Sequence, residues 1–156
     1  MTRFSQAFGD KYESAINKIR TRTFTYGDFE FKVRLPLSVE TEAMYKRMAE
    51  IDDAAVDERV KTMTEAIRAN PPEGVEISES DVVVDGRSTR EVATSIYLME
   101  KRITEYFKLL IPQEGTFDDI TYADIEAEFP LPTQLEMTEA IADAIQPGYK
   151  DTRKNS

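Results

Sequence analysis

The sequence predicts an α+β fold that is mostly α-helical. One N-terminal antiparallel β-hairpin, with room for a third short strand, packs against a bundle of about four to six helices. Residues 23–35 alternate aromatic and polar side chains around a Gly-Asp pair, which is the pattern of a half-buried hairpin. Elsewhere apolar residues recur every three or four positions, as in amphipathic helices. The 156 residues are 40% hydrophobic and 32% charged, which is typical of a chain that folds around a core.

Residues 1–20 predict an amphipathic helical arm of about four turns. Its apolar side chains, spaced by three or four positions, are Phe4, Phe8, Tyr12, Ala15, Ile16 and Ile19. Gly9 lies inside this pattern and weakens it, because Gly is a poor helix former. Such an arm either packs on the rest of the protein or docks on a partner.

The hairpin follows the arm. Gly27 and Asp28 suit its tip, because Gly accepts positive φ without strain. This tip predicts a register of Tyr26 with Phe29, Thr25 with Glu30, Phe24 with Phe31, Thr23 with Lys32, and Arg22 with Val33. One face then carries Phe24, Tyr26, Phe29, Phe31, Val33 and Leu35. We expect helices to cover that face as core, because a lone hairpin is marginally stable in water.

Two helices are predicted next, from Ser38 to about Ile51 and over about residues 54–69, with a break at Asp52-Asp53. The sequence NPPEG at 70–74 ends the second helix. Residues 75–87 leave two alternatives open: a third strand beside the hairpin, or an acidic loop. Within them Val82–Val84 is strand-like, and Asp85-Gly86 is a turn pair.

The longest helix is predicted over about residues 89–110, opened by the capping box Ser88-x-x-Glu91. A short helix ending at Phe129 is capped by Thr121-x-x-Asp124. A final helix is predicted to open at a further box, Thr133-x-x-Glu136, and to carry Leu135, Ile141, Ala144 and Ile145 on its apolar face. The predicted boundaries are therefore an arm at 1–20, one globular domain at 21–147 and a flexible basic tail at 148–156.

The charge of −10 is unevenly distributed. Residues 38–147 carry 10 basic and 25 acidic side chains, whereas residues 1–37 carry seven and four. An acidic body repels nucleic acid and anionic membranes, so neither is an expected partner. No signal peptide or membrane-spanning stretch is visible, and a cytoplasmic location follows as an expectation.

No catalytic, metal or cofactor motif is visible in the sequence. The chain has neither His nor Cys, so the commonest general base, thiolate nucleophile and zinc ligands are missing. The acids occur as sequence neighbours that diverge on a helix, and the calcium-loop and phosphate-loop spacings do not occur. The protein is therefore expected to be a non-enzyme without a cofactor or metal.

Methionine suits irregular cores and also adaptable binding surfaces. Met44, Met48 and Met63 lie on predicted helices, and core filling is the ordinary expectation for them. The alternative is a partner-binding surface made of Phe4, Phe8, Met44, Met48 and Met63.

Two segments carry a family resemblance. They are FTYGDFEFKVRLPLSVETEAMYKRM, at residues 24–48, and ITYADIEAEFPLPTQLEMTEAI, at residues 120–141. In layout these resemble the tail assembly chaperones of long-tailed, siphovirus-type bacteriophages. The resemblance implies a non-enzymatic protein that coats the tape measure protein, helps to recruit the tail tube protein and self-associates. It also implies action in the host-cell cytoplasm and absence from the mature virion.

Two rival interpretations remain. The first is a structural or adaptor protein, such as a head–tail connector or minor tail protein, that is retained in the virion. The second is an enzyme that works with carboxylates alone, which requires a deep pocket lined by converging acids.

Overall fold

The computed structural model describes residues 2–149, and its elements confirm the predicted class, α+β and mostly α-helical. The predicted basic tail lies outside the described residues from position 150 onward. In chain order the elements are α1 (Arg3–Phe8), α2 (Asp10–Ile19), β1 (Thr21–Tyr26), β2 (Phe29–Arg34), α3 (Ser38–Ala49), α4 (Asp53–Ala69), β3 (Val75–Ile77), β4 (Val82–Val84), β5 (Arg87–Ser88), α5 (Thr89–Phe107), α6 (Tyr122–Glu128) and α7 (Leu131–Ala144).

The described chain divides into two compact units. The first combines the described residues of 1–44 and 103–156, and the second comprises residues 45–102. The sequence boundaries, with an arm, one domain and a tail, remain a prediction.

The arm is broken at Gly9 and is not one continuous helix. Gly9 has φ +79° and ψ −166°, a combination that residues with a side chain rarely adopt, and it ends α1 and precedes α2. Thr2 caps α1, because its hydroxyl accepts a hydrogen bond from the Ser5 backbone N–H at 3.1 Å. The sequence predicted one helix that Gly9 weakens, whereas the structure has two helices that are separated at Gly9.

The hairpin of β1 and β2 confirms the predicted register from Arg22–Val33 to Tyr26–Phe29. Gly27 and Asp28 both have positive φ, as the tight primed turn requires. A third strand-like segment flanks β2. The Arg34 N–H donates to the Leu109 carbonyl at 2.8 Å, and the Ile111 N–H donates to the Lys32 carbonyl at 2.9 Å. The extra partner of the hairpin thus comes from the segment after α5, not from residues 75–87.

Helix α7 packs on β1. The Arg22 guanidinium donates to the carbonyls of Ala144 and Gln146 at the C-terminal end of α7, and the Tyr26 hydroxyl donates to the Glu136 carboxylate. The buried face of α7 consists of Gln134, Met137, Thr138, Ile141 and Ala144.

The predicted start of α7 is wrong. The helix begins at Leu131 with Pro130 as its N-cap residue, so Thr133 lies inside the first turn and no side chain caps the helix. Proline is compatible with a first helical turn, which allows the helix to start before the predicted box. Leu135 is 40% exposed and does not share the buried face with Ile141, because six residues along a helix turn the side chain to another side.

In the second unit, Asp52 caps α4 by accepting from the N–H groups of Ala54 and Ala55, which confirms the predicted break. Residues 75–88 form a three-stranded antiparallel sheet, β3-β4-β5. The predicted strand Val82–Val84 and the turn at Asp85-Gly86 are confirmed, but the strand pairs with β3 and β5 and not with the hairpin, and the segment is not an acidic loop. The core of this unit consists of Val56, Val60 and Ala93, with Tyr97 packed against it.

Asp81 holds the start of α5 together with the predicted cap Ser88. The Asp81 carboxylate accepts from the Ser88 hydroxyl and from the Arg90 N–H, and Ser88 in turn accepts from the Glu91 N–H. Burial favours a higher pKa for Asp81, but the hydrogen bonds from Ser88, Arg90 and Val82 outweigh it and lower the pKa below its usual value.

Candidate functional site

An open pocket in the first unit is lined mainly by aromatic and aliphatic side chains, and we call it the aromatic pocket. Its volume is about 560 Å³, within the range of ligand-binding clefts. Its apolar lining consists of Phe29, Phe31, Phe107, Leu110, Ile111, Pro112, Phe117, Ile120, Ile125 and Phe129.

The hairpin forms one wall through a row of contacting aromatic rings. Phe24 lies against Phe31 with ring centroids 5.3 Å apart, and Phe31 meets Phe29 edge-on at 4.8 Å. Burial decreases along this row: Phe24 is 3% exposed, Phe31 is half-buried, and Phe29 is 63% exposed. The row leads from the core to the mouth of the pocket. The sequence suggested that the aromatic face of the hairpin is fully covered, but Phe29 at the end of the row is exposed.

The end of α5 and the loop after α6 form the inner wall. Phe107, in the last turn of α5, is buried, and its ring meets that of Phe129 edge-on at 5.8 Å. Leu110 and Ile111 are held in place because their segment pairs with β2. Backbone pairing therefore fixes two wall residues that follow the helix.

The bend between α6 and α7 is fixed by the buried Gln134. Its side-chain amide donates to the Phe129 carbonyl at 2.8 Å and accepts from the Tyr122 hydroxyl at 2.8 Å. This gives the carbonyl of the C-cap residue Phe129 a hydrogen-bond partner and ties the start of α6 to α7. The backbone that carries the Phe129 ring is therefore anchored by a specific polar contact.

Among the described residues, Asp124 and Glu128 of α6 are the acidic residues that line the pocket. Glu30 and Lys32 also border it, but they alternate with Phe29 and Phe31 along β2, so their side chains lie on the opposite face of the hairpin. Hydrogen bonds from the Thr121 N–H and hydroxyl lower the pKa of Asp124 below its usual value. The full capping box at Thr121 and Asp124 confirms that prediction. The pocket thus favours an apolar ligand with basic flanks.

The arm presents a second apolar surface. Phe4 and Phe8 are 61% and 63% exposed, and their rings stack with centroids 6.1 Å apart. Phe8 also contacts Tyr12 at 5.4 Å, and Ile19 at the end of the same stripe is exposed. We call Phe4, Phe8, Tyr12, Ile16 and Ile19 the arm stripe. Its two ends are exposed at Phe4, Phe8 and Ile19, whereas Tyr12 and Ile16 are half-buried.

The residues of the predicted partner-binding set differ in exposure, and the set as a whole stays a prediction. Phe4 and Phe8 are exposed on the arm, Met63 is 39% exposed, and Met48 is half-buried. Met44 is only 2% exposed, so its side chain is not available for a partner in this structure. Methionine composition alone did not separate core positions from surface positions.

The aromatic pocket was missed by the sequence interpretation. Phe117 lies in the irregular segment between α5 and α6, and Phe129 caps a short helix, so neither belongs to a periodic pattern. The available signal was the density of aromatic and aliphatic residues in 107–129, a turn-rich region that also contains six acidic residues.

Within residues 2–149, no group of three or more acidic side chains is arranged to hold a metal ion. None of the helices in the same range is both long enough and apolar enough to cross a membrane. Comparisons of this chain with family models, curated proteins and solved structures gave no match. The lining of the aromatic pocket suits the binding of apolar side chains beside acidic residues.

Proposed function

We propose that this protein is a non-enzymatic tail assembly chaperone of a long-tailed bacteriophage. It binds apolar stretches of the tape measure protein in the host cytoplasm, promotes addition of the tail tube protein, and leaves before the virion is complete. The observation that carries the proposal is the aromatic pocket with Phe29 at its mouth. The resemblance of residues 24–48 and 120–141 to that family supplies the identity of the partner.

The chemistry of the pocket suits such a partner. A tape measure protein is a long helix with apolar stripes, and an amphipathic helix typically docks by placing side chains at i and i+4 into a hydrophobic groove. The acidic lining and the net charge of −10 keep the coated partner in solution. The expectation that the protein is not an enzyme stays part of this proposal.

The test is co-expression with the tape measure protein of the same phage, followed by centrifugation and co-purification. Wild-type protein is expected to hold the tape measure protein in the soluble fraction. Phe29→Ser is expected to lose most of this effect while remaining folded, because Phe29 is largely exposed. Tyr45→Ser, at an aromatic residue that is 50% exposed outside the pocket, is the matched control and should behave like wild type.

Two results contradict the proposal. One is a tape measure protein that aggregates equally with and without the wild-type protein. The other is the presence of this protein at stoichiometric levels in purified virions, which favours the structural or adaptor interpretation.

A further inference from the structure

We propose that the second unit binds a phosphate group in a pocket formed by α4, the turn at residues 78–81 and the start of α5. We call it the cationic pocket, and its volume is about 450 Å³. All of its lining residues belong to the unit of residues 45–102, so the inference is independent of the aromatic pocket and of the proposed function. The lining residues are Asp57, Val60, Lys61, Arg68, Glu79, Ser80 and Arg90.

Arg68 is a half-buried cation whose contacts in the described chain are all with neutral groups. Its Nε donates to the Thr64 hydroxyl at 3.1 Å, and its Nη2 donates to the Asp81 carbonyl at 3.4 Å. Within residues 2–149 no carboxylate is in ion-pair contact with Arg68, although the sequence contains 30 acidic residues. Charged groups that lose part of their hydration are usually paired, so a bound anion would supply the counter-charge that Arg68 lacks.

Two further cations line the same pocket. Lys61 lies two turns before Arg68 on α4 and therefore on the same face; it is exposed and has no hydrogen bond or ion pair with the described residues. Arg90 reaches the pocket from the first turn of α5, where the helix dipole also favours an anion. Its Nε donates to the Ser80 carbonyl at 2.9 Å, and its Nη2 pairs with the Asp57 carboxylate.

The two guanidinium groups are held in place and keep donors for a ligand. Arg68 and Arg90 both bond through Nε and Nη2, which leaves Nη1 of each without a partner among the described residues. The turn that supplies their carbonyl acceptors is itself fixed, because the Ser78 N–H donates to the Asp81 carbonyl at 2.9 Å and the Asp81 N–H donates to the Ser78 hydroxyl at 3.1 Å. A guanidinium whose orientation is already fixed loses little freedom when it binds an oxyanion.

The charge of the pocket favours an anion with several oxygen atoms. Three cations face two acids, a net charge of +1, whereas residues 45–102 as a whole carry nine basic and 13 acidic side chains, a net charge of −4. Arg90 compensates Asp57, so Lys61 and Arg68 are opposed by Glu79 alone. A phosphate monoester carries a charge of about −1.5 to −2 and three acceptor oxygens, so it can accept from more than one cation at once.

The test is a nuclear magnetic resonance titration of the isotope-labelled protein with inorganic phosphate and, separately, with glycerol phosphate. Sodium chloride holds the ionic strength constant. Saturable shifts are expected at the backbone amides around Lys61, Arg68 and residues 79–81. Binding of both compounds supports the site and identifies a phosphate monoester as its ligand class, and binding of inorganic phosphate alone supports it for the free anion. Absence of saturable shifts with either compound overturns the inference.

Four variants test the assigned residues. Arg68→Met should bind at least about tenfold more weakly, because it removes charge-assisted hydrogen bonds. Lys61→Met should bind about threefold more weakly, and its exposed position keeps the test valid if Arg68→Met does not fold. Glu79→Gln removes an opposing charge and should bind about twofold more tightly. Arg87→Met is the matched control, since it removes an exposed cation of the same unit outside this pocket, and should bind like wild type.

Three results with these variants overturn the inference. The first is wild-type affinity in both Arg68→Met and Lys61→Met. The second is an equal loss in Arg87→Met, which would mean that overall charge and not the pocket attracts the anion. The third is an affinity of Glu79→Gln at or below that of wild type. Because no tape measure protein is present, these outcomes are separate from those of the proposed function.

Discussion

Arg22 is expected to be a main polar support of the first unit. Its guanidinium donates to the Ala144 carbonyl at 2.8 Å and also to the Gln146 carbonyl, so one side chain on β1 holds the C-terminal end of α7. A cation at this end also interacts favourably with the helix dipole. We predict that Arg22→Met destabilises the protein.

The magnitude follows from the contacts. A hydrogen bond that involves a charged group contributes about 1.5–3 kcal/mol, and the dipole contributes about 0.3–1 kcal/mol. Arg22 is half-buried, so solvent screening reduces both contributions, and we take the low end of each range. One hydrogen bond and the dipole at these low ends contribute about 2 kcal/mol, and the second hydrogen bond, which is exposed, adds about 1 kcal/mol or less. The expected loss in the free energy of unfolding is therefore about 2–3 kcal/mol. Arg22→Lys keeps the charge but not the two-pronged geometry and should lose roughly half as much.

The assay is urea unfolding followed by circular dichroism at neutral pH, with the slope of the transition checked for each variant. Arg87→Met is the matched control. It removes the same charge from an exposed position on β5, and should change the unfolding free energy by less than about 0.5 kcal/mol. A loss for Arg22→Met no larger than that of the control would refute the assigned role.

Three further predictions concern other parts of the fold. Phe107→Ala should cost about 3–5 kcal/mol in urea unfolding, because the ring is buried and packs edge-on against Phe129. Because the folded pKa of Asp81 is lowered, its stabilising effect is present above the unfolded pKa and is lost as the pH falls through the folded pKa. Urea unfolding should therefore show stability dropping below about pH 4, and less steeply in Asp81→Asn. Gly9→Ala should favour one continuous helix over 3–19, seen as unchanged or increased far-ultraviolet helicity, with global stability unchanged because the arm is exposed.

Each of these has a contrary outcome. A loss below about 1 kcal/mol for Phe107→Ala would mean that the pocket wall repacks freely. Identical acid profiles for wild type and Asp81→Asn would mean that other carboxylates, such as Glu40, dominate the acid response. A clear drop in helicity for Gly9→Ala would mean that the bend in the arm is held by contacts outside it.

Local patterns predicted the local structure well. The Gly27-Asp28 pair fixed the hairpin register, and Asp52 and Thr121 marked two helix starts, because turn and cap chemistry acts over a few residues. Leu110 continued the helical spacing, yet its segment leaves the helix to pair with β2. That pairing joins residues far apart in sequence, which no local period can indicate.

The candidate site was less predictable for the same reason. Phe29 and Phe31 were expected to be buried under helices, but Phe29 is largely exposed. The hairpin sequence alone does not show which residues pack against its aromatic face. The pocket forms where β2, the end of α5 and the turn before α6 converge. The pocket exists because the aromatic face of β2 is only partly covered by other elements. That coverage depends on how the whole chain packs and cannot be read from one segment of the sequence.

The discontinuity of the first unit affects how the nascent chain folds. The hairpin leaves the ribosome early, but Phe129 is synthesised roughly 95 residues after Arg34, which is about 5 to 20 seconds later at ordinary translation rates. For most of that interval, α7 is not yet available to pack on β1, and residues 109–111 are not yet available to pair with β2. A ribosome stalled before residue 103 would thus display a bare aromatic hairpin, which is a substrate for the cell's folding machinery or for aggregation.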